Sequence, residues 1–226
     1  MTSKPLPPPD AQSSDIEALD DALLREIAEK GGMRTYPANS IIINEGEKSD
    51  TFFILLSGRV KVFGSDAAGN QVVYATHGTG EYVGEMTLDG GTRTASVMTL
   101  EKTTCAVVSG SELRNFIAEH PDFALNLIRK LIRRAREATE GVKNLALLDV
   151  YGRICVLLMS LAERDNSSDA VGAMQIRERL TQQDIADRVG SSREMVSRIF
   201  KDLTAGGYLA IDSGKLTLLR KLPAHS

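Results

Sequence analysis

The chain has no tryptophan, two cysteines, three histidines and no long apolar run. Each scarcity excludes something. Cys105 and Cys155 are too few for an iron–sulfur cluster, which takes about four thiolates. They stand far apart in apolar surroundings and read as small buried hydrophobes in a reducing compartment. His77, His120 and His225 are scattered, so a metal-dependent barrel oxygenase, which needs converging histidines and a carboxylate, is excluded. His77 is the lone histidine of the strand-rich part and the one candidate haem ligand; a histidine satisfied by its neighbours is the simpler reading. No Ser/His/Asp or Cys/His grouping is legible, so the chain does not read as an enzyme. With no 18-residue apolar stretch and no charged-then-apolar leader, a cytoplasmic protein without membrane association is expected.

What is there suits a globular protein. The 226 residues, 42% hydrophobic and 25% charged, allow one large or two ordinary domains. Charge is uneven. Residues 151–226 carry 11 Lys and Arg against 9 Asp and Glu, a net of +2 that leaves −5 for residues 1–150. A mildly basic end on an acidic body points weakly to nucleic acid.

The organising stretch is 122–149. Ile128, Leu131, Ala135, Ala138, Val142 and Leu145 recur at spacings of three and four, flanked by Arg129, Lys130, Arg133, Arg134, Arg136, Glu137, Glu140 and Lys143. That is a heptad seam, and its small central residues allow close approach of a second helix. Before it, Pro5, Pro7, Pro8 and Pro9 make a disordered tail (1–13). Ser14 and Glu17 form a capping box for a helix with Ile16, Leu19, Leu23 and Ile27 on one side, ended by Gly31 and Gly32. From Met33 to Ser109 the runs SIIIN, TFFILL, RVKVF, QVVYAT, TASVMTL and TTCAVVS alternate with glycine turns, the pattern of an antiparallel sandwich or barrel. Ser109 and Glu112 cap a short helix ending near His120, and Pro121 opens the long one. After Asp149, which breaks or caps, Val150, Ile154, Leu157, Leu158 and Leu161 form another helical stripe. Residues 165–172 read as a surface loop.

The last third carries the sharpest signal. Thr181 and Asp184 open a helix with Ile185, Ala186 and Val189 inward; Gly190 turns the chain; Ser191 and Glu194 open a second helix with Val196, Ile199, Phe200 and Leu203 inward. This is a helix-turn-helix. Its second helix shows Arg193, Glu194, Ser197, Arg198 and Lys201 outward at the end that enters a major groove. Arginine suits guanine O6/N7, and glutamate accepts from cytosine N4. Thr181, Gln183 and Lys201 suit phosphates. YLAIDSGKLTLL reads as a two-stranded wing turning at Ser213–Gly214–Lys215.

In the β-rich part, EYVGEMTLDGGTRTAS joins Gly84, where backbone can approach a ligand, to one helical turn whose N–H groups suit an anion. Arg93 offers a fork for a phosphate, and Glu85 can accept from a ribose hydroxyl. Together they suit a sugar-phosphate. The bland alternative is a salt bridge between Glu85 and Arg93.

The stretches VGEM…RTA, KNLALLDVYGRI, GAMQI and SSREMVSRIFKDL, in this order, resemble the cyclic AMP receptor protein (Crp/Fnr) family of bacterial transcription regulators over nearly the whole chain after the tail. The resemblance implies an α+β fold. It has an N-terminal antiparallel β-roll, jelly-roll-like and of the cyclic-nucleotide-binding type (14–121), a long dimerisation helix (122–149) and a C-terminal winged helix-turn-helix (150–226). It implies cyclic AMP as effector, held by Gly84, Glu85 and Met86, with Glu85 on the ribose 2′-OH, Arg93 and Thr94 on the cyclic phosphate, and Thr139 reaching the adenine bound in the other subunit. No metal, haem or cluster is implied. Arg193, Glu194 and Arg198 match the trio that reads TGTGA half-sites in a palindromic duplex, with Thr181, Gln183, Ser192, Ser197 and Lys201 beside them. Residues 169–175 match a surface that touches RNA polymerase. Two departures stand out: Ala138 replaces a polar residue common in cyclic AMP-type members, and the spacing from Glu85 to Arg93, eight residues, is a little shorter than is common. They leave cyclic GMP or a relaxed specificity open as the effector reading, and a ligand-independent regulator of the same fold, with Glu85 and Arg93 bridging each other, is the alternative.

Overall fold

The structure, a computed structural model, describes residues 13–164, 174–212 and 214–222, the side chains of 13–21 and 163–164 excepted. The expected tail lies outside the described residues except for Ser13, as do the side chains of the Ser14–Glu17 capping box, the loop at 165–172 and most of 169–175. The chain forms two compact units: residues up to Gly64 with Ala75–Arg134, and Ser65–Tyr74 with residues from Ala135 onward.

Along residues 13–109, α1 (Ser13–Lys30) precedes β1 (Gly32–Tyr36), β2 (Ile41–Ile43), β3 (Thr51–Ser57), β4 (Val60–Ser65), β5 (Gln71–His77), β6 (Tyr82–Val83), β7 (Ser96–Thr99) and β8 (Thr103–Ser109). These make two four-stranded sheets, β1-β8-β3-β6 and β2-β7-β4-β5, with antiparallel registers. Then come α2 (Gly110–Glu119) and α3 (Pro121–Leu147). The apolar run of β3 lacks alternation because both its faces are covered. Phe52 and Ile54 pack with Ala106 and Val108 of β8, Ile27, Leu113, Phe116, Phe123 and Leu127 beneath the helices. Phe53, Leu55 and Cys105 face Ile43, Val60 and Val97 of the other sheet.

Local signals explain the joints. The Ser109 side chain accepts from the Glu112 N–H while the Glu112 carboxylate accepts from the Ser109 N–H, a reciprocal cap that starts α2. His120 ends it and Pro121 starts α3, whose 27 residues span about 40 Å. Gly31 follows α1 without a left-handed turn. Its value is closeness: a Cβ there would lie 2.9 Å from the Val107 carbonyl oxygen.

The heptad seam needs one correction. Leu131 packs on the core of its own unit. Ile128, Ala135, Ala138, Val142 and Leu145 of that seam are exposed, and Leu125, Ile132 and Thr139 are exposed beside them, so that Leu125, Ile128, Ile132, Ala135, Thr139 and Val142 make a stripe at spacings of three and four. The seam as read from sequence took Leu131 as a partner-facing residue; a pattern of period 3.5 cannot say which of two adjacent apolar residues faces home.

In the second unit, α4 (Val150–Leu161) is N-capped by Asp149, which accepts from the Gly152 N–H at 2.8 Å. β9 (Ala162–Arg164), β10 (Met174–Ile176), α5 (Gln182–Val189), α6 (Arg193–Ala205), β11 (Leu209–Asp212) and β12 (Lys215–Leu218) follow. The sheet order is β11-β12-β10-β9. Ile154, Leu158, Ile176, Ile185, Val196, Phe200, Leu216 and Leu218 form the core. Both cysteines are free; Cys105 is buried, and burial pushes its thiol up to about 11. Cys155 is only half-buried, less than its apolar neighbours suggested. Among the described residues no helix is long and apolar enough to cross a membrane.

Leu158 is fully buried at the centre of the second core. Leu158→Ala is expected to destabilise that unit by about 2–5 kcal/mol, seen as a lower urea midpoint for its transition.

Candidate functional site

The cradle is built on one backbone conformation. Gly84 follows β6 with φ 90°, and caps a 3-10 turn, Glu85–Leu88. A Cβ at Gly84 would sit 2.8 Å from the Thr51 carbonyl oxygen and 3.2 Å from Arg93 Nη1, so only glycine fits both the angle and the space. Arg93 lies beneath it, 4% exposed. Its Nη1 donates to the Gly84 carbonyl at 2.7 Å, and its Nη2 to the Thr51 carbonyl at 2.5 Å and the Thr51 hydroxyl at 3.3 Å. Nε is buried and has no hydrogen-bond partner among the described residues. Burial lowers the Arg93 pKa, opposed by the nearby charges of Glu85 and Asp50. Main-chain bonds hold its loop: the Arg93 N–H donates to Glu47 O, and Gly46 N–H to Arg93 O.

Glu85 is engaged elsewhere. Arg134 of α3 donates to its carboxylate at 2.8 Å and to the Tyr82 carbonyl at 2.7 Å, both side chains being largely buried. The Glu85–Arg93 bridge weighed as the bland alternative is therefore replaced by Glu85–Arg134 and Arg93–carbonyl contacts. Met86 is half-buried in the 3-10 turn, and Thr94 is exposed beside Arg93. Thr87, buried in the same turn, donates to Asp50 at 2.7 Å. Thr139 lies on the exposed stripe of α3, its hydroxyl donating to the Ala135 carbonyl at 2.9 Å. Sequence reasoning missed Thr51 and the role of Arg134. Arg134 stood among the charged flanks of the seam, indistinguishable there from its neighbours; Thr51 carried no signal, because its carbonyl meets Arg93 only through the fold.

The turn leading to the cradle contains His77 and Glu81. His77 is buried, with its Nδ1 3.2 Å from Glu81 Oε2, and the Gly78 N–H donates to the same oxygen at 2.9 Å. Burial alone would raise the Glu81 pKa; the His77 and Gly78 hydrogen bonds and the charges of His77 and Arg134 outweigh it and bring it to about 2.

The second candidate site is the helix pair. Thr181 caps α5 in a reciprocal box with Asp184, and Gly190 (φ 61°) makes the turn. The second cap is Ser192, accepting from the Met195 N–H at 3.2 Å, where Ser191 was expected. Ser191 belongs to the turn: its N–H donates to the Ala186 carbonyl and closes the preceding helix. On α6, Val196, Ile199, Phe200 and Leu203 are buried while Arg193, Glu194, Ser197, Arg198 and Lys201 are exposed on the opposite side. Glu194 is held below the usual carboxylate range by its own backbone N–H, Ser192 and Arg193. Thr181 and Gln183 are exposed, but their donors are in use: the Thr181 hydroxyl bonds Asp184 and the Gln183 amide bonds Asp187, each at 2.6 Å. Gln183 keeps one amide hydrogen to offer. β11 and β12 form the wing, with Asp212 opposite Lys215; Ser213 lies outside the described residues.

A β-roll with a glycine-led anion turn over a buried arginine, followed in the chain by a winged helix-turn-helix, defines the class of ligand-sensing DNA-binding regulators. The comparisons agree. Residues 33–120 match the cyclic nucleotide-binding domain family, and residues 152–222 the Crp-like helix-turn-helix domain family. The chain is 35% identical over 170 residues to the cAMP-activated global transcriptional regulator CRP of Salmonella typhimurium, covering 74% of this chain and 80% of that one. It is 37% identical over 175 residues to the CRP of Haemophilus influenzae, covering 76% of each. Among solved structures, the c-di-GMP responsive global regulator CLP of Xanthomonas campestris superimposes with a TM-score of 0.74 at 28% identity, covering 87% of this chain and 98% of that one. The chain belongs to the Crp/Fnr family of transcription regulators. It is a DNA-binding regulator with a cyclic nucleotide-binding domain, and not an enzyme.

Glu81 gives a pH test. Its folded pKa lies below the unfolded value, so its contribution to stability is complete above pH about 4.5 and is lost as pH falls through about 2. In Glu81→Gln the acid limb of a melting-temperature profile is expected to flatten between these values.

Proposed function

We propose that the chain is a cyclic AMP-responsive homodimer that reads a palindromic TGTGA-type duplex. The observation that carries the sensor half is Arg93: a buried guanidinium whose Nε has no partner among the described residues, directly under a left-handed glycine, in the segment that matches the cyclic nucleotide-binding domain. Arg93 and Thr94 take the cyclic phosphate, and Gly84 and Met86 line it. Glu85, steadied by Arg134, accepts from the ribose hydroxyl, and Thr139 meets the base held by the other subunit. Cyclic AMP is favoured because the relatives at 35% and 37% identity are named cAMP-activated. Arg193, Glu194 and Arg198 read base edges; Gln183, Ser192, Ser197 and Lys201 meet the backbone beside them, while Thr181, whose hydroxyl and N–H both go to Asp184, holds the start of α5. The dimer forms along the exposed α3 stripe, and nucleotide selects the register of the two helices that sets the reading heads about 34 Å apart. Residues 169–175 touch RNA polymerase, in the cytoplasm.

The test is fluorescence anisotropy at fixed salt on a labelled TGTGA inverted repeat, without nucleotide, with cyclic AMP and with cyclic GMP. Tightening by cyclic AMP is expected. Tightening by cyclic GMP alone would change the effector, and equal binding in all three would mean a ligand-independent regulator. Arg93→Ala removes charge-assisted bonds of about 1.5–3 kcal/mol, so nucleotide affinity should fall roughly ten- to hundredfold and the nucleotide dependence of DNA binding with it. For the dimer, Ile132→Glu places a charge in the proposed seam. Sedimentation should then report a monomer, whereas an unchanged dimer would put the interface elsewhere.

A further inference from the structure

Arg153, in the first turn of α4, belongs to neither candidate site, yet each of its three guanidinium nitrogens donates to a backbone carbonyl. Nη1 donates to Leu148 at 2.8 Å, Nε to Val189 at 2.8 Å and Nη2 to Gly190 at 3.4 Å. These oxygens come from two places far apart in the chain. Leu148 directly follows α3, and Val189 and Gly190 are the last residue of α5 and the turn before α6. Carbonyls at helix ends have no partner within the helix and carry its partial negative charge, so a cation is well matched to them. The turn's own bonds do not use them. The N–H groups of Gly190 and Ser191 both go to the Ala186 carbonyl, which closes α5 but leaves the Val189 and Gly190 oxygens facing Arg153. Asp149 fixes the base of the arginine by capping α4 and accepting the Arg153 N–H at 3.0 Å. A Cβ built on Gly190 would lie 3.6 Å from Leu145 Cδ2, so the end of α3 and the turn are in near contact at this point.

We infer that Arg153 is a positioning residue for DNA reading. By joining Leu148 to Val189 and Gly190 it sets the angle at which α6, capped at Ser192, presents Arg193, Glu194 and Arg198 from the end of the long helix. Arg153 itself touches no DNA. The inference rests on α6 being the reading helix. Its chemistry demands arginine: a planar fork can serve three fixed acceptors at once, whereas a lysine ammonium is a point charge on a flexible stem.

The test uses the full chain with saturating cyclic AMP at fixed salt, and compares wild type, Arg153→Lys and Arg153→Gln. Anisotropy is read on the TGTGA duplex and on a scrambled duplex of equal length, and cyclic AMP affinity is measured alongside by calorimetry. Both variants should bind the TGTGA duplex about tenfold more weakly or worse, as two or more charge-assisted bonds are lost, while the scrambled duplex and cyclic AMP stay within about twofold of wild type. Arg153→Lys retains the cation at both helix ends, and it carries the test if Arg153→Gln does not fold. Wild-type affinity for the site in Arg153→Lys would overturn the inference, because charge alone would then suffice. An equal loss on both duplexes would also overturn it, since Arg153 would be holding the head together instead of aiming it. A wild-type chain that treats the two duplexes alike would remove the DNA reading itself, and the inference with it.

Discussion

A buried guanidinium must find acceptors, and around Arg93 the backbone supplies them. The carbonyls of Gly84 and Thr51 both point at it, which requires the chain after β6 to turn left-handed and to pass so near Thr51 that no side chain fits at residue 84. The same requirement pins the loop of Arg93 to Glu47 and Gly46. Once these strands are held, the 3-10 turn is placed with its N-terminus over the arginine, and Thr87 ties its far side to Asp50. The glycine-led turn at the surface of the β-roll thus depends on satisfying a cation just beneath it.

Central strand β3 makes that arrangement rigid. Its residues 52–55 are buried on alternating sides, so the strand whose first residue holds Arg93 is anchored both in the helix-covered core and between the sheets. In the second unit, a single apolar cluster supports α4, α5, α6 and the wing together. The polar devices there lie at helix ends: a capping box at Thr181, a cap at Ser192, and Arg153 over the carbonyls that end α5. The outward face of α6, proposed to read DNA, is free to carry charge because the opposite face supplies the packing.

The helix ends, the turn at Gly190, the outward set Arg193, Glu194, Ser197, Arg198 and Lys201, and the wing were legible in the sequence because each depends on residues within about four positions of one another. So were the strand runs with apolar patterns. β1 was not: its side chains are mostly exposed on an edge strand, and it leaves no apolar run. The shift of a cap from Ser191 to Ser192 is of the same kind, since two adjacent serines offer the same chemistry and only the bond from Ser191 N–H to Ala186 separates them.

Local pattern alone determined the order of elements, the glycine-led turn and the charge of both candidate sites. Tertiary structure decided the partners: Arg134 for Glu85, Thr51 for Arg93, the home core for Leu131 and three helix-end carbonyls for Arg153. The physical reason is range. Capping, turn conformation and periodicity are set by neighbours a few bonds away. The partner of a buried charge is whichever acceptor the fold brings within about 3 Å, and a carbonyl oxygen, being common to every residue, carries no mark in the sequence.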